Sequence, residues 1–363
     1  MINRYKPEGK RISSPENKEY VTSLSGLKNA YEKQLILEGC AFLCDHNLNL
    51  HVSLGGGVIG IIPKEECEYS PSGEPIKDIA ILTRVGKSVC FKVTSISKDE
   101  RGVPIAILSR KEAQRECYLN YVSDLLPGDI IPVKVTHLEN FGAFVDIGCG
   151  IISLLSIDSI SVSRISHPSV RLEVGESAYA VVKSIDSRGR VYVTQRELLG
   201  SWEENAKRFK EGETVRGIVR SVEDYGIFVE LTPNLAGLAE YKENVYPEQT
   251  AALYIKSIIP DKMKLKLIII DTQDEPMQRS RPEYFIDPEA TSHIDSWIYS
   301  PEGCKKVIES NFAAVDSSRG TKSTVAVFNS AITKKGEDSV KNTVSSFFLC
   351  FFAFFNIFFK KIR

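Results

Sequence analysis

Two pairs of aromatic residues at matching spacing are the residues of this chain best suited to chemistry. Phe141 and Phe144 bracket Gly142-Ala143, and Tyr225 and Phe228 bracket Gly226-Ile227. In the run Ala143-Phe144-Val145-Asp146-Ile147 a strand would turn Ala143, Val145 and Ile147 to one side, and Phe144 with Asp146 to the other. The run Ile227-Phe228-Val229-Glu230-Leu231 repeats the pattern, with Phe228 and Glu230 outward. A large ring on the polar face of a strand, twice at the same position, is not what core packing asks for. Exposed rings so spaced form a platform on which unpaired bases stack, each stack worth about 1–3 kcal/mol. Donors are expected beside them: Lys134, His137 and Arg190 for the first pair, and Arg216, Lys264 and Lys266 for the second, in reach of phosphates or base edges. The competing reading covers the rings with a neighbouring domain or loop, since aromatic side chains also serve interfaces.

Strands able to present such rings recur along the chain. Pro127-Gly128-Asp129 opens an alternating run at Ile131, Val133 and Val135, and Glu211-Gly212-Glu213 opens another at Val215, Gly217 and Val219. Each leads through a polar turn into a ring-bearing strand, and then into a third strand that begins at Gly150 or Gly237. A fourth strand over 178–185 and the turn Asp186-Ser187-Arg188-Gly189-Arg190 return a fifth over 191–194, and the later copy closes over 251–259 and 264–270. A fainter copy comes first, with strands expected at 38–44, 48–54, 58–62, 89–96 and 105–108. Five short strands cannot bury both faces as a flat sheet, so each copy is expected to close into a barrel.

Between copies the period becomes helical. Ser109 should cap a helix reaching about Tyr121, and Ser201 one that runs through Trp202 and Ala206 toward Phe209 and stops before Gly212. The expected fold is mainly β: three tandem five-stranded barrels of the oligonucleotide-binding (OB) type joined by short helical linkers, with a mixed C-terminal extension. Its parts are an N-terminal segment (1–30), a degenerate repeat (31–108), a helical linker (109–124), a repeat (125–199), a second linker (200–210), a third repeat (211–271), the extension (272–312) and a basic, Phe-rich tail (313–363). Trp297 and Tyr299 should pack on the third barrel. The apolar run at 347–359 is shorter than the roughly 20 residues of a spanning helix, so a divergent, disordered terminus is expected and a membrane partner is not.

Composition narrows the function. The 363 residues carry 46 Lys and Arg against 47 Asp and Glu, so no net field draws in a polyanion and binding must come from one face. The eight cysteines form no C-x-x-C pair, and the amino terminus lacks the basic-then-apolar plan of a secretory signal, which favours reduced thiols in the cytoplasm. The group Cys40, Cys44, His46, His51 and Cys67 comes nearest to a metal cluster, but its spacing matches no standard zinc site. There is no Walker loop, HExxH, nucleophile elbow or dense carboxylate cluster, and Gly55-Gly56-Gly57 has no following Lys. A binding protein without catalytic residues, cofactor or metal is expected.

The run Asn140-Phe141-Gly142-Ala143-Phe144-Val145, followed by Gly150-Ile151-Ile152 and by Ile185-Asp186-Ser187-Arg188-Gly189-Arg190, resembles the RNA-binding repeat of the bacterial small-subunit ribosomal protein S-one family. Tyr225-Gly226-Ile227-Phe228-Val229 with Gly237-Leu238 is similar, as is the Trp202 linker, and three copies over about 31–271 look like the shorter homologues of Gram-positive bacteria. The resemblance implies RNA contacts at Phe141, Phe144, Asp186 and Arg190 in the second copy, and at Tyr225 and Phe228 in the third. It also implies single-stranded messenger RNA and the small ribosomal subunit as partners of a chain that is monomeric when free. Ser153 and Glu240 stand where the family has a strand-three His, and Leu48 and His51 occupy the stacking positions of the first copy. The alternative is a protein-binding OB scaffold, or a regulatory RNA-binding protein acting away from the ribosome.

Overall fold

The computed structural model describes residues 5–71, 73, 75–98, 102–274 and 282–313, and the Phe-rich tail from 314 onward lies outside them. Helices α1 (Pro15–Val21) and α2 (Leu24–Glu32) precede a first barrel of β1 (Leu37–Cys44), β2 (Leu50–Ser53), β3 (Ile59–Ile62), β4 (Ser88–Lys98) and β5 (Pro104–Ser109), with α3 (Asp78–Leu82) between β3 and β4. Helix α4 (Arg110–Asn120) leads to the second barrel: β6 (Ile130–Glu139), β7 (Gly142–Asp146), β8 (Ile152–Ser156), the single turn α5 (Ile157–Ile160), β9 (Ser177–Ile185) and β10 (Val191–Thr194). Helix α6 (Trp202–Ala206) leads to the third: β11 (Thr214–Glu223), β12 (Gly226–Thr232), β13 (Leu235–Ala239), β14 (Thr250–Ile259) and β15 (Lys264–Gln273). A small pair, β16 (Ser296–Ile298) and β17 (Glu309–Asn311), ends the described chain.

All three barrels are closed and share one strand order, with the fifth strand parallel to the third. Alternation builds the cores as expected: Val133, Val135, Ala143, Val145, Leu155, Ala180, Val182, Val191 and Val193 fill the second barrel. One feature of register escapes alternation. The first strand of each barrel bulges against the second, between Ala41 and Leu43, Val135 and His137, and Val219 and Ser221. An inserted residue reverses which side chains face outward beyond it. His137, which strict alternation from Val135 would turn inward, is thereby exposed.

The linker caps form as their sequences require. The Ser109 hydroxyl accepts the Glu112 N–H at 2.9 Å, and Ser201 and Glu204 make a reciprocal capping box. Helix α6 stops at Ala206, short of Phe209, which packs half-buried against the third core instead. Trp297 and Tyr299 join that core beside Trp202. The extension also grips the second barrel: His293 sits 2.7 Å from Asp129, and the Tyr284 hydroxyl accepts the Tyr179 N–H at 3.0 Å.

The N-terminal segment, whose sequence advertised no role, is the joint between the first two barrels. Tyr5 packs into the second barrel's core, stacked on Tyr121 with centroids 6.0 Å apart. The Glu38 carboxylate of β1 accepts the backbone N–H groups of Gly9, Arg11 and Ile12 at 2.9–3.0 Å. Between them Glu8 is buried against Arg110, with Nε to Oε1 at 2.7 Å.

Candidate nucleic-acid interface

On the second barrel, cross-strand register lines up a row on the outer face. His137 lies opposite Phe144, Phe144 opposite Leu154, and Leu154 opposite Tyr192. The Phe141 and Phe144 rings meet edge to face at 6.0 Å and 88°, and His137 stacks on Phe144 at 6.4 Å and 22°. Phe141 is 44% exposed, so no neighbouring barrel covers it among the described residues. The glycine between the rings has a backbone reason: a Cβ on Gly142 would stand 2.4 Å from the Leu155 carbonyl oxygen, so only glycine lets β7 and β8 approach there.

The third barrel repeats the row with Ser221, Phe228, Leu238 and Lys266. Tyr225 and Phe228 meet at 6.1 Å and 85°, and Tyr225 is 70% exposed. Lys266 ends this row, with Lys264 two residues along β15 on the same side. Arg216 is not brought to it. It pairs with Ala252, five residues before the Ser221 that faces Phe228, or roughly 16 Å along the strand.

Other expected residues fall into place with altered roles. Asp186 holds the last turn of the second barrel, accepting the Arg188 and Arg190 N–H groups at 2.8 and 2.9 Å. Those bonds, Arg190's first, keep its carboxyl below the ordinary value. Arg190 is exposed on the outer side two residues before Tyr192. His137 reaches Glu139 at 2.7 Å. Lys134 is taken up elsewhere: its ammonium donates to the Glu8 carbonyl at 2.8 Å, so the N-terminal segment, and not solvent, receives it.

The residue across from each inner ring is Leu154 or Leu238, beside Ser153 in the second barrel and two residues before Glu240 in the third. Ser153 points into the barrel and donates to the Val191 carbonyl. Tyr192 and Lys183 were not anticipated. Together with Leu154 and Ser184 they line a depression of ≈ 280 Å³ at the β8–β10 edge of the row, where the Lys183 ammonium donates to the Ser159 hydroxyl at 2.9 Å. The alternation Val191-Tyr192-Val193 holds the signal for the outward Tyr192. On the first barrel the row is Leu43, His51, Ile61 and Ile107, with Phe42 edge-on to His51 at 6.2 Å and His51 held by Asp45 at 3.3 Å.

The acidic ends of the ring-bearing strands are outward but not solvated. Glu230 is buried between Arg220, at 2.8 Å, and Arg171 of the preceding barrel. Asp146 is fully buried and accepts the N–H groups of Glu8, Gly148 and Gly150 at 2.7, 2.8 and 3.0 Å. Burial works to raise Glu8, but the Arg110 guanidinium overrides it and holds that carboxyl low. Burial first, and then the charge of Glu8, push Asp146 up from 3.8 to about 7. An acid raised on folding stabilises most below its unfolded value, and that advantage is lost as pH climbs through the folded one. The melting temperature of the wild type relative to Asp146→Asn is therefore expected to fall between about pH 4 and pH 7. A pH-independent difference would show that Asp146 is ionised throughout.

Known proteins can be set beside this geometry. Residues 125–194 match the family model of the S1 RNA binding domain. The small ribosomal subunit protein bS1 of Neisseria meningitidis serogroup B is 30% identical over 209 residues, covering 54% of this chain and 35% of that protein. The bS1 homolog of Bacillus cereus is 30% identical over 229 residues, 58% of this chain and 56% of its own. The bS1 protein of Rhizobium meliloti is 25% identical over 240 residues, 61% and 40% respectively. The chain thus spans between 35 and 56% of the length of these relatives. The second barrel thus matches an S1 RNA binding domain, and the chain, built of three closed OB barrels, is similar to bS1 proteins over more than half of its own length.

Proposed function

We propose that this protein binds single-stranded RNA, messenger RNA included, on the aromatic faces of its second and third barrels, and that it does so in translation at the small ribosomal subunit, as a cytoplasmic monomer without catalysis. The observation that carries this reading is the repeated edge-to-face ring pair, one ring exposed and one half-buried, at 6.0 and 6.1 Å in two barrels of one chain. Rings presented this way stack on any base, which suits a partner of varied sequence. The S1 RNA binding domain over 125–194 and the ribosomal names of the relatives support it. Arg190 and Lys266 at the ends of the two rows supply phosphate contacts.

The first barrel favours a second role for that module. Its face carries Phe42 edge-on to His51 in place of the paired benzene rings of the other two barrels, and Phe42 and Leu43 stand exposed there, a surface suited to protein. The test is fluorescence anisotropy of an A/U-rich single-stranded RNA across a salt series, with co-sedimentation on small subunits. The affinity should fall linearly in log salt, by about 0.7 per phosphate contacted. Absent binding, or binding indifferent to salt, would move the protein to the class of scaffolds.

A further inference from the structure

A cleft of ≈ 430 Å³ lies between the N-terminal segment and the first barrel, away from both ring pairs, with Lys6, Lys10, Arg11, Asn17 and Tyr20 among its walls. Lys6 and Lys10 are exposed; Glu16 also lines the cleft, but among the described residues no ion pair joins it or any other carboxylate to Lys6, Lys10 or Arg11. The Arg11 guanidinium spends one N–H on the Ile36 carbonyl at 3.4 Å, and its Nε is buried with no partner. A buried donor left open beside an excess of cations, three against the one carboxylate of Glu16, is what an oxyanion satisfies.

The cleft is tied to the aromatic face of the second barrel. The Glu8 N–H donates to Asp146, and Asp146 lies two residues from Phe144 on the same side of β7, about 7 Å along the strand. Gly9 lies against Lys134, whose ammonium the Glu8 carbonyl holds. Residues 6–10 therefore run from the edge of the stacking row into the cleft.

We propose that the cleft takes backbone phosphates of the RNA strand whose bases stack on Phe141 and Phe144, with Lys6 and Lys10 neutralising charge and Arg11 donating to a phosphate oxygen. This rests on the RNA reading of the aromatic face. It makes the N-terminal segment and the ring-poor first barrel part of the binding path, which lengthens the strand one molecule engages.

The test compares Lys6→Glu with Lys10→Glu, combined in the full chain, against wild type. Both side chains are exposed, so the fold is retained, and circular dichroism verifies this. Two A/U-rich RNAs serve as probes, one of about four nucleotides, the least one OB barrel covers, and one of about fifteen. For the longer probe the log–log salt slope should become shallower by about 1.4, two contacts at about 0.7 each, while the shorter probe is unaffected. An unchanged slope for the longer probe, or equal weakening of both, overturns the proposal. If charge reversal abolishes binding of the longer probe while Phe144→Ala leaves it intact, the cleft stands and the stacking reading falls. If neither probe binds the wild type, both fall.

Discussion

Phe144→Ala combined with Phe228→Ala should weaken binding of an A/U-rich single-stranded RNA by about 2–6 kcal/mol, roughly 30-fold to 10⁴-fold in Kd. Each ring is half-buried at the centre of its row, between a first-strand residue and a leucine of the third strand. Truncation removes the surface on which a base lies and leaves the barrel core, which is built from the opposite side of the strand, in place. The losses combine because the two barrels share one chain, so release from one leaves the strand held near the other. Anisotropy on both single variants and the double reads this directly, with thermal melts to verify the fold. Phe144→Tyr should retain most of the affinity, because the stacking face remains. An RNA affinity indifferent to both rings would assign them to a protein contact.

Arg110→Ala should cost about 3–5 kcal/mol of stability, the largest single effect expected outside the cores. Its guanidinium is buried where three parts meet: Glu8 of the N-terminal segment at 2.7 Å, the Cys67 carbonyl of the first barrel at 3.0 Å and the Gly150 carbonyl of the second at 3.4 Å. Removing it takes away the closer of the two cations on the buried Glu8 carboxylate and leaves only Arg84, at 3.6 Å, with Asp146 held close by the Glu8 backbone. Adding Glu8→Gln should restore part of the loss, since the stranded charge is then gone. Urea unfolding of the two single variants and the double measures the coupling. A loss below about 1 kcal/mol, the range of exposed ion pairs, would mean that water reaches the joint.

The two predictions divide along the line between local and distant information. Alternation with period two is a property of a few consecutive residues, and it sufficed to place the strands, close the barrels and turn Phe144 and Phe228 outward. Ser109 and Ser201 announced their helices because a cap involves only the next three residues. Phe141 and Tyr225, which share the parity of the inward residues, are exposed because they lie in the turn just before each ring-bearing strand.

What only the tertiary structure decided lies in contacts between segments far apart along the chain. Glu8 and Asp146 stand 138 positions apart, and nothing in either neighbourhood announces the other. Lys134 reads as a free cation in its own strand, and becomes a ligand of the Glu8 carbonyl only because the N-terminal segment folds over it. Leu154, and not Ser153, faces Phe144, because register is set by the partner strand and by the closure of the barrel. The bulge that exposes His137 likewise exists only between paired strands. The sequence by itself therefore determined the barrels and the outward turn of Phe144 and Phe228, whose facing is fixed by adjacent residues. The joint between barrels and the course of the basic cleft came from the tertiary structure, since charge and burial there depend on which distant segment arrives to cover them.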